Sequence, residues 1–187
     1  MVDTFSPSLL ALFSVLFGLV VGSFLNVVIL RLPRKMYAEH QASCDESGET
    51  EAPAGRWFGL DYLMSPASSC PSCGHQIRAW ENIPVLSWFL LKGKCSACKT
   101  PISARYPIIE AITGLLTLAV VMQFGVSYST LALCVLVWGL VALTVIDIDE
   151  QLLPDSITLP LLWLGLLVNI SGTFASLEDA VIGAAAG

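Results

Sequence analysis

Charge is scarce in this chain. Only 13% of its 187 residues are Asp, Glu, Lys or Arg, whereas soluble domains carry about 25%. Basic residues are confined as well as few: all nine Lys and Arg lie between Arg31 and Arg105. The run Thr130–Ile146 carries no charge of either sign. No nucleic acid is expected as a partner. The net charge of −6 says little more, because the basic residues are segregated from most of the acids. Other absences are equally informative. No Lys or Arg precedes the first apolar block, and no small-x-small cleavage site follows it, so that block reads as a permanent anchor and not as a signal peptide. No G-x-G-x-x-G loop of the dinucleotide-binding type occurs.

What is present is apolar sequence, 55% of the chain, gathered into blocks at Ser8–Leu30, Pro107–Gly125, Thr130–Ile146 and Ile157–Ile170. A membrane span needs roughly 17–25 apolar residues. The first three blocks fit, and the fourth is short unless it continues through Gly172 to Phe174. A fifth block begins at Ala180 and is interrupted at Gly187, which points to a longer protein. The expected fold is an all-α polytopic integral membrane protein with a small cytoplasmic zinc-binding (tetracysteine) insertion. Its expected parts are a first transmembrane helix over 1–30, a cytoplasmic zinc-binding domain over 31–106, and a transmembrane helical domain over 107–187. Arg31, Arg34 and Lys35 flank the first span, and Lys92, Lys94, Lys99 and Arg105 approach the second. Basic residues close to span ends favour the cytoplasmic side. The N-terminus then lies outside, and Asp147–Asp155 returns to the cytoplasmic face.

Four of the six cysteines form Cys70-Pro-Ser-Cys73 and Cys95-Ser-Ala-Cys98, with 21 residues between the pairs. Two such knuckles at this separation read as a tetrathiolate zinc site, with each tight turn aiming two sulfurs at one ion. Four thiolates close the tetrahedral shell, so the metal is structural. The competing disulfide or redox reading fits poorly with a reducing compartment. His75, beside the first knuckle, reads as a bystander; Cys44 and Cys134 read as free thiols without a role. Trp80–Leu91 carries two tryptophans and large apolar residues, which suits either the membrane interface or a small core for the zinc module. Ala38–Gly55, with five acids, reads as a flexible excursion.

Carboxylates at a membrane boundary are costly and therefore functional candidates. The segment Val-Ile-Asp147-Ile-Asp149-Glu-Gln-Leu-Leu-Pro-Asp155 places four of them between two apolar runs. Asp155, after Pro154, is expected to cap the next helix with its side chain. Glu110, one turn into the second span, suits a salt bridge with Arg105 or a role in a cytoplasm-facing site. Asn26, near the inner end of the first span, suits helix packing or contact with a substrate. Gly18-x-x-x-Gly22 and Gly183-x-x-x-Gly187 have the spacing that lets helices approach closely.

Together these motifs are specific. The stretch Gly22-Ser-Phe-Leu-Asn-Val-Val-Ile-Leu-Arg-Leu-Pro33, the tetracysteine module, Gly93-Lys-Cys through Tyr-Pro107-Ile-Ile-Glu110, Ile146-Asp147 and Leu153-Pro-Asp155-Ser-Ile-Thr-Leu-Pro160 resemble those of the type IV prepilin peptidases, over essentially the whole chain. The resemblance implies an intramembrane aspartyl protease of the bacterial inner membrane. Such an enzyme cuts the leader from type IV prepilins and pseudopilins after a glycine, and methylates the new N-terminus from S-adenosylmethionine. Asp147 is implied as one catalytic aspartate, and Gly93 as a residue that matters for methylation. The family's second aspartate belongs to a G-x-G-D motif, which does not occur in these 187 residues. The chain alone is therefore expected to lack peptidase activity. The implied chemistry pairs an ionised carboxylate, which draws a proton from water, with a protonated one that donates to the scissile carbonyl. Two rival classes remain. One is a divalent-metal-dependent membrane transferase using Asp147 and Asp149; the other is a non-enzymatic zinc-stabilised membrane scaffold.

Overall fold

A computed structural model describes residues 6–44 and 69–186. The described residues are mostly helical, with no named strand. Six α-helices follow in order: α1 Pro7–Cys44, α2 Leu86–Leu90, α3 Arg105–Phe124, α4 Tyr128–Glu150, α5 Asp155–Asn169 and α6 Leu177–Ala186, with a 3₁₀ turn at Ala79–Asn82. Among the described residues, three stretches are long and apolar enough to cross a membrane. They are Pro7–Gln41, Arg105–Phe124 and Tyr128–Glu150, with mean hydropathies of 2.4, 1.7 and 2.5. A helix satisfies every interior backbone N–H and C=O within one segment, which lipid demands. The 15 residues of α5, at 1.5 Å rise each, reach only about 22 Å, short of a ~30 Å hydrocarbon core.

Helix boundaries depart from the sequence expectation in two places. α1 does not stop at Leu30; it runs through Pro33 to Cys44. The segment beyond Leu30 is rich in helix formers, and Lys35 and Glu39 pair one turn apart at 3.5 Å. Residues 38–44 of the expected excursion are therefore helical, and residues 45–55 lie outside the described residues. α5 is not capped by Asp155. Its N-cap is Pro154, with no side-chain cap hydrogen bond, and Asp155 occupies the first turn, where its charge suits the helix dipole. At the other end, α5 stops at Asn169, whose Oδ1 accepts the N–H groups of Phe174 and Ala175, each at 3.0 Å. The side chain thus caps the turn that ends the helix before the possible extension through Gly172 to Phe174.

The described chain forms two compact units. One consists of the residues up to Gly18 together with those from Thr113 onward. Its interior combines small and hydroxyl side chains. An added Cβ on Gly18 would lie 2.7 Å from Thr117 Oγ1 and 2.8 Å from Gly114 Cα. Trp138 Nε1 donates to Thr117 Oγ1 at 2.9 Å, and Phe17 meets the Trp138 ring edge-on at 5.6 Å. A Cβ on Gly139 would meet Leu161 Cδ1 at 2.5 Å, so α4 and α5 touch closely there. The first small-residue motif thus has a packing partner at Gly18. Gly183 faces open space, and Gly187 lies outside the described residues.

The second unit is Leu19–Ile112. It combines α1 from Leu19 onward and the start of α3 with the cysteine module and α2. Leu25, Ile29 and Ile109 are buried, and Asn26 Nδ2 donates to the Tyr106 carbonyl at 3.2 Å. That bond is the packing role expected of Asn26, and it ties α1 to the first turn of α3.

Candidate functional site

The two cysteine knuckles are built alike. Cys70 N–H donates to the His75 carbonyl at 2.9 Å, and Cys95 N–H to the Thr100 carbonyl at 2.9 Å. In each knuckle the residue after the second cysteine donates back to the first cysteine's carbonyl: Gly74 at 2.9 Å and Lys99 at 3.1 Å. Both adopt left-handed backbone, with φ of 70° and 62°. Glycine does so without steric cost, whereas Lys99 bears a strain of roughly 1–2 kcal/mol. The four Sγ atoms lie within 4.8 Å of one another, and all four cysteines are free thiols. A tetrahedral ion with metal–sulfur bonds of about 2.3 Å places its sulfurs about 3.8 Å apart. The Cys70–Cys98 separation is 3.7 Å, so the donor set fits such an ion.

Local hydrogen bonds favour the thiolate, the form that binds metal, at Cys98 and Cys70. The Thr100 hydroxyl, 3.1 Å from Cys98 Sγ, and then its backbone N–H hold the Cys98 thiol down to about 6. The Ser72 and Cys73 backbone N–H groups lower Cys70. At Cys73 the His75 N–H pulls downward, but hydrogen bonds shared with Cys98 and the other sulfurs carry it up to about 11. His75 is outside the sulfur cluster. Its Nε2 lies 3.3 Å from Glu81 Oε2 and 3.2 Å from Ser96 Oγ, bridging one knuckle to the 3₁₀ turn.

Gly93 seats Trp88. Its φ is 64°, and an added Cβ would lie 2.8 Å from Trp88 Cζ2. Trp88 Nε1 donates to the Ile102 carbonyl at 3.1 Å, while the Ile102 N–H returns to the Gly93 carbonyl at 2.7 Å. The indole so fixed forms part of the wall of a cavity of about 620 Å³ within the Leu19–Ile112 unit. Asn26, Arg34 and Glu110 also line it. Trp80, Leu86, Phe89 and Leu90 are exposed. The Trp80–Leu91 segment therefore divides its apolar residues between an inward Trp88 and an outward face, and the outward face suits the interfacial reading.

Glu110 is 92% buried, with 8% of its surface exposed. Its Oε2 accepts the Val85 N–H at 2.6 Å, and the Ser23 and Asn26 side chains hydrogen-bond to the same carboxylate. Val85 holds φ 60° and ψ −49°, an outlying conformation for a β-branched residue. Sequence reasoning noted Glu110 but not this partner 25 residues away, because no local pattern announces it.

Asp147 stands exposed on the last turn of α4, in the other unit. The helix closes just beyond it at Gln151, which adopts φ 52° and donates its N–H to the Asp147 carbonyl at 2.9 Å. Asp149 and Asp155 are also exposed. Asp147 and Asp149 stand two residues apart on one helix, where side chains do not face each other. That placement disfavours a shared divalent ion.

The family model described as the bacterial peptidase A24 N-terminal domain matches residues 16–124, more than half of the chain. The chain belongs to the bacterial peptidase A24 family. The model of the type IV leader peptidase family matches residues 134–187 of this A24 chain. Relatives named prepilin leader peptidase/N-methyltransferase include one from Stutzerimonas stutzeri, 54% identical over 97% of the chain and 62% of its own length. The Aeromonas hydrophila relative is 53% identical over 92% of the chain and 59% of its own length. The Pseudomonas aeruginosa PAO1 relative is 48% identical over 97% of the chain and 62% of its own length. The A24 chain thus spans about three-fifths of the length of these relatives. No solved structure matches it.

Proposed function

We propose that this A24 chain works in type IV prepilin processing, removing the leader from prepilins and pseudopilins and methylating the new N-terminus. The observation that carries the reading is the 54% identity to a prepilin leader peptidase/N-methyltransferase across 97% of the chain. Asp147 serves as one of two carboxylates. The pair works with one member ionised to draw the proton from an attacking water and the other protonated to donate to the scissile carbonyl. The exposed position of Asp147 on the last turn of a membrane-length helix supports that role, since a substrate crossing the interface can reach it.

The chain is placed in the bacterial inner membrane as a multi-pass protein, with its N-terminus periplasmic and its cysteine unit cytoplasmic. Support comes from Arg31, Arg34 and Lys35, just past the apolar part of α1, and from Lys92, Lys94, Lys99 and Arg105 at the approach to α3. Zinc is the proposed occupant of Cys70, Cys73, Cys95 and Cys98; four sulfurs close its shell and make it structural. Methylation is assigned to the Leu19–Ile112 unit. Its cavity of about 620 Å³ falls among small-molecule sites of roughly 300–1,000 Å³. S-adenosylmethionine, when bound, supplies a methyl group on a sulfonium sulfur to an amine. The protein's part is to hold Trp88 in the wall through Gly93, to present polar groups at Asn26 and Glu110, and to keep the cysteine module folded around them.

Substituting Asp147→Asn in the native gene product is expected to abolish leader cleavage while leaving zinc stoichiometry unchanged. Normal cleavage by that variant removes Asp147 from the mechanism.

A further inference from the structure

The cavity of the Leu19–Ile112 unit has a buried carboxylate in its wall, with Arg31 and Arg34 lining the same cavity. Glu110 lines it, is 92% buried, and is met by the Val85 N–H, Ser23 and Asn26. None of these three partners carries a charge. A buried anion is costly unless something positive joins it. The same carboxylate holds the N–H of Val85 in an outlying backbone conformation, at the N-cap of the helix that carries Trp88. Conformations of this kind persist where the surroundings over-determine them, and they concentrate at ligand clamps. Carboxylate, indole and Asn26 line one space, with Glu110 and Asn26 coming from different helices and with Arg31 and Arg34 of α1 in the same wall.

We infer that Glu110 is the receptor for a primary ammonium group in this cavity, with Ser23 and Asn26 positioning its carboxylate. The inference rests on the methylation reading and deepens it. Two ligands of that chemistry would carry such a group: the free α-amine of a processed peptide, and the amino-acid end of the methyl donor. Glu110 provides the counter-charge, and Trp88, in the wall of the same cavity, provides an aromatic ring, which also attracts cations. Glu81, in the wall of the same cavity, is engaged with His75 and the Arg78 N–H, which leaves Glu110 as the better-placed acid.

The test is equilibrium binding to the full-length native gene product, read through tryptophan fluorescence or calorimetry. The probes are a peptide with the processed N-terminus, the same peptide N-acetylated, S-adenosylhomocysteine, and its deaminated analogue. In the unsubstituted protein, masking or removing the amine of at least one ligand is expected to weaken binding on the order of tenfold or more. Glu110→Gln keeps an acceptor for the Val85 N–H but removes the charge. It is expected to erase that difference, with zinc content unchanged. Loss confined to the peptide pair assigns the site to the substrate amine; loss confined to the S-adenosylhomocysteine pair assigns it to the donor. The proposal is overturned if neither ligand is sensitive to its amine in the unsubstituted protein, a result that does not depend on the variant folding. It is equally overturned if Glu110→Gln retains full amine discrimination. Methyl transfer measured on the same unsubstituted preparation separates the two levels. Its absence removes the methylation reading, whereas its presence alongside amine-blind binding removes only the role of Glu110.

Discussion

Gly93 packs directly under Trp88, a wall residue of the cavity in the Leu19–Ile112 unit. A side chain there meets the Trp88 ring at 2.8 Å and must adopt φ 64°. Gly93→Ala is therefore expected to destabilise the unit by about 1–3 kcal/mol and to shift tryptophan emission as Trp88 moves. Thermal unfolding followed by fluorescence checks this. Glu81 gives a pH-dependent counterpart. The Arg78 N–H first, then Ser96 and His75, hold its carboxyl below the ordinary range. A depressed carboxyl stabilises the fold above the unfolded-state value, and the contribution disappears as pH falls through the lower folded value. The melting-temperature difference between the unsubstituted protein and Glu81→Gln should thus be present at pH 7 and shrink below about pH 4. The cysteine knuckles were legible from spacing alone, because ligand geometry is local. Glu110 was legible only as a charge out of place. Its partner Val85 and the strained backbone there depend on tertiary contact, which no periodicity encodes.

At the scale of elements, the apolar runs located α3, α4 and α5 because length and hydropathy decide what a span can be. Their ends were harder to read. α1 passes through Pro33, where one backbone hydrogen bond is lost and helices commonly kink. A long helix with favourable flanking residues absorbs that loss. The start of α5 was misassigned because an acid after a proline resembles a cap, yet Pro154 itself takes the N-cap position. A side-chain cap does operate at α4, where Ser127 Oγ accepts the Thr130 N–H at 3.1 Å. Ser127→Ala is expected to cost about 1 kcal/mol, read as a lower denaturation midpoint with an unchanged slope.

At the scale of the whole molecule, scarce and segregated charge has a structural counterpart. The nine basic residues lie within the span from Arg31 to Arg105, inside the Leu19–Ile112 unit, and Asp147 lies in the other unit. Metal and leader cleavage should accordingly respond to different substitutions. Cys70→Ser is expected to lower bound zinc and to destabilise the cysteine unit, because the ion's binding energy is coupled to folding; metal analysis with thermal unfolding checks both. The most direct test of the account is the intact mass of pilin from cells whose only A24 enzyme carries Asp147→Asn. The account predicts uncleaved precursor beside an enzyme that retains its zinc. Pilin of mature mass in those cells would contradict it.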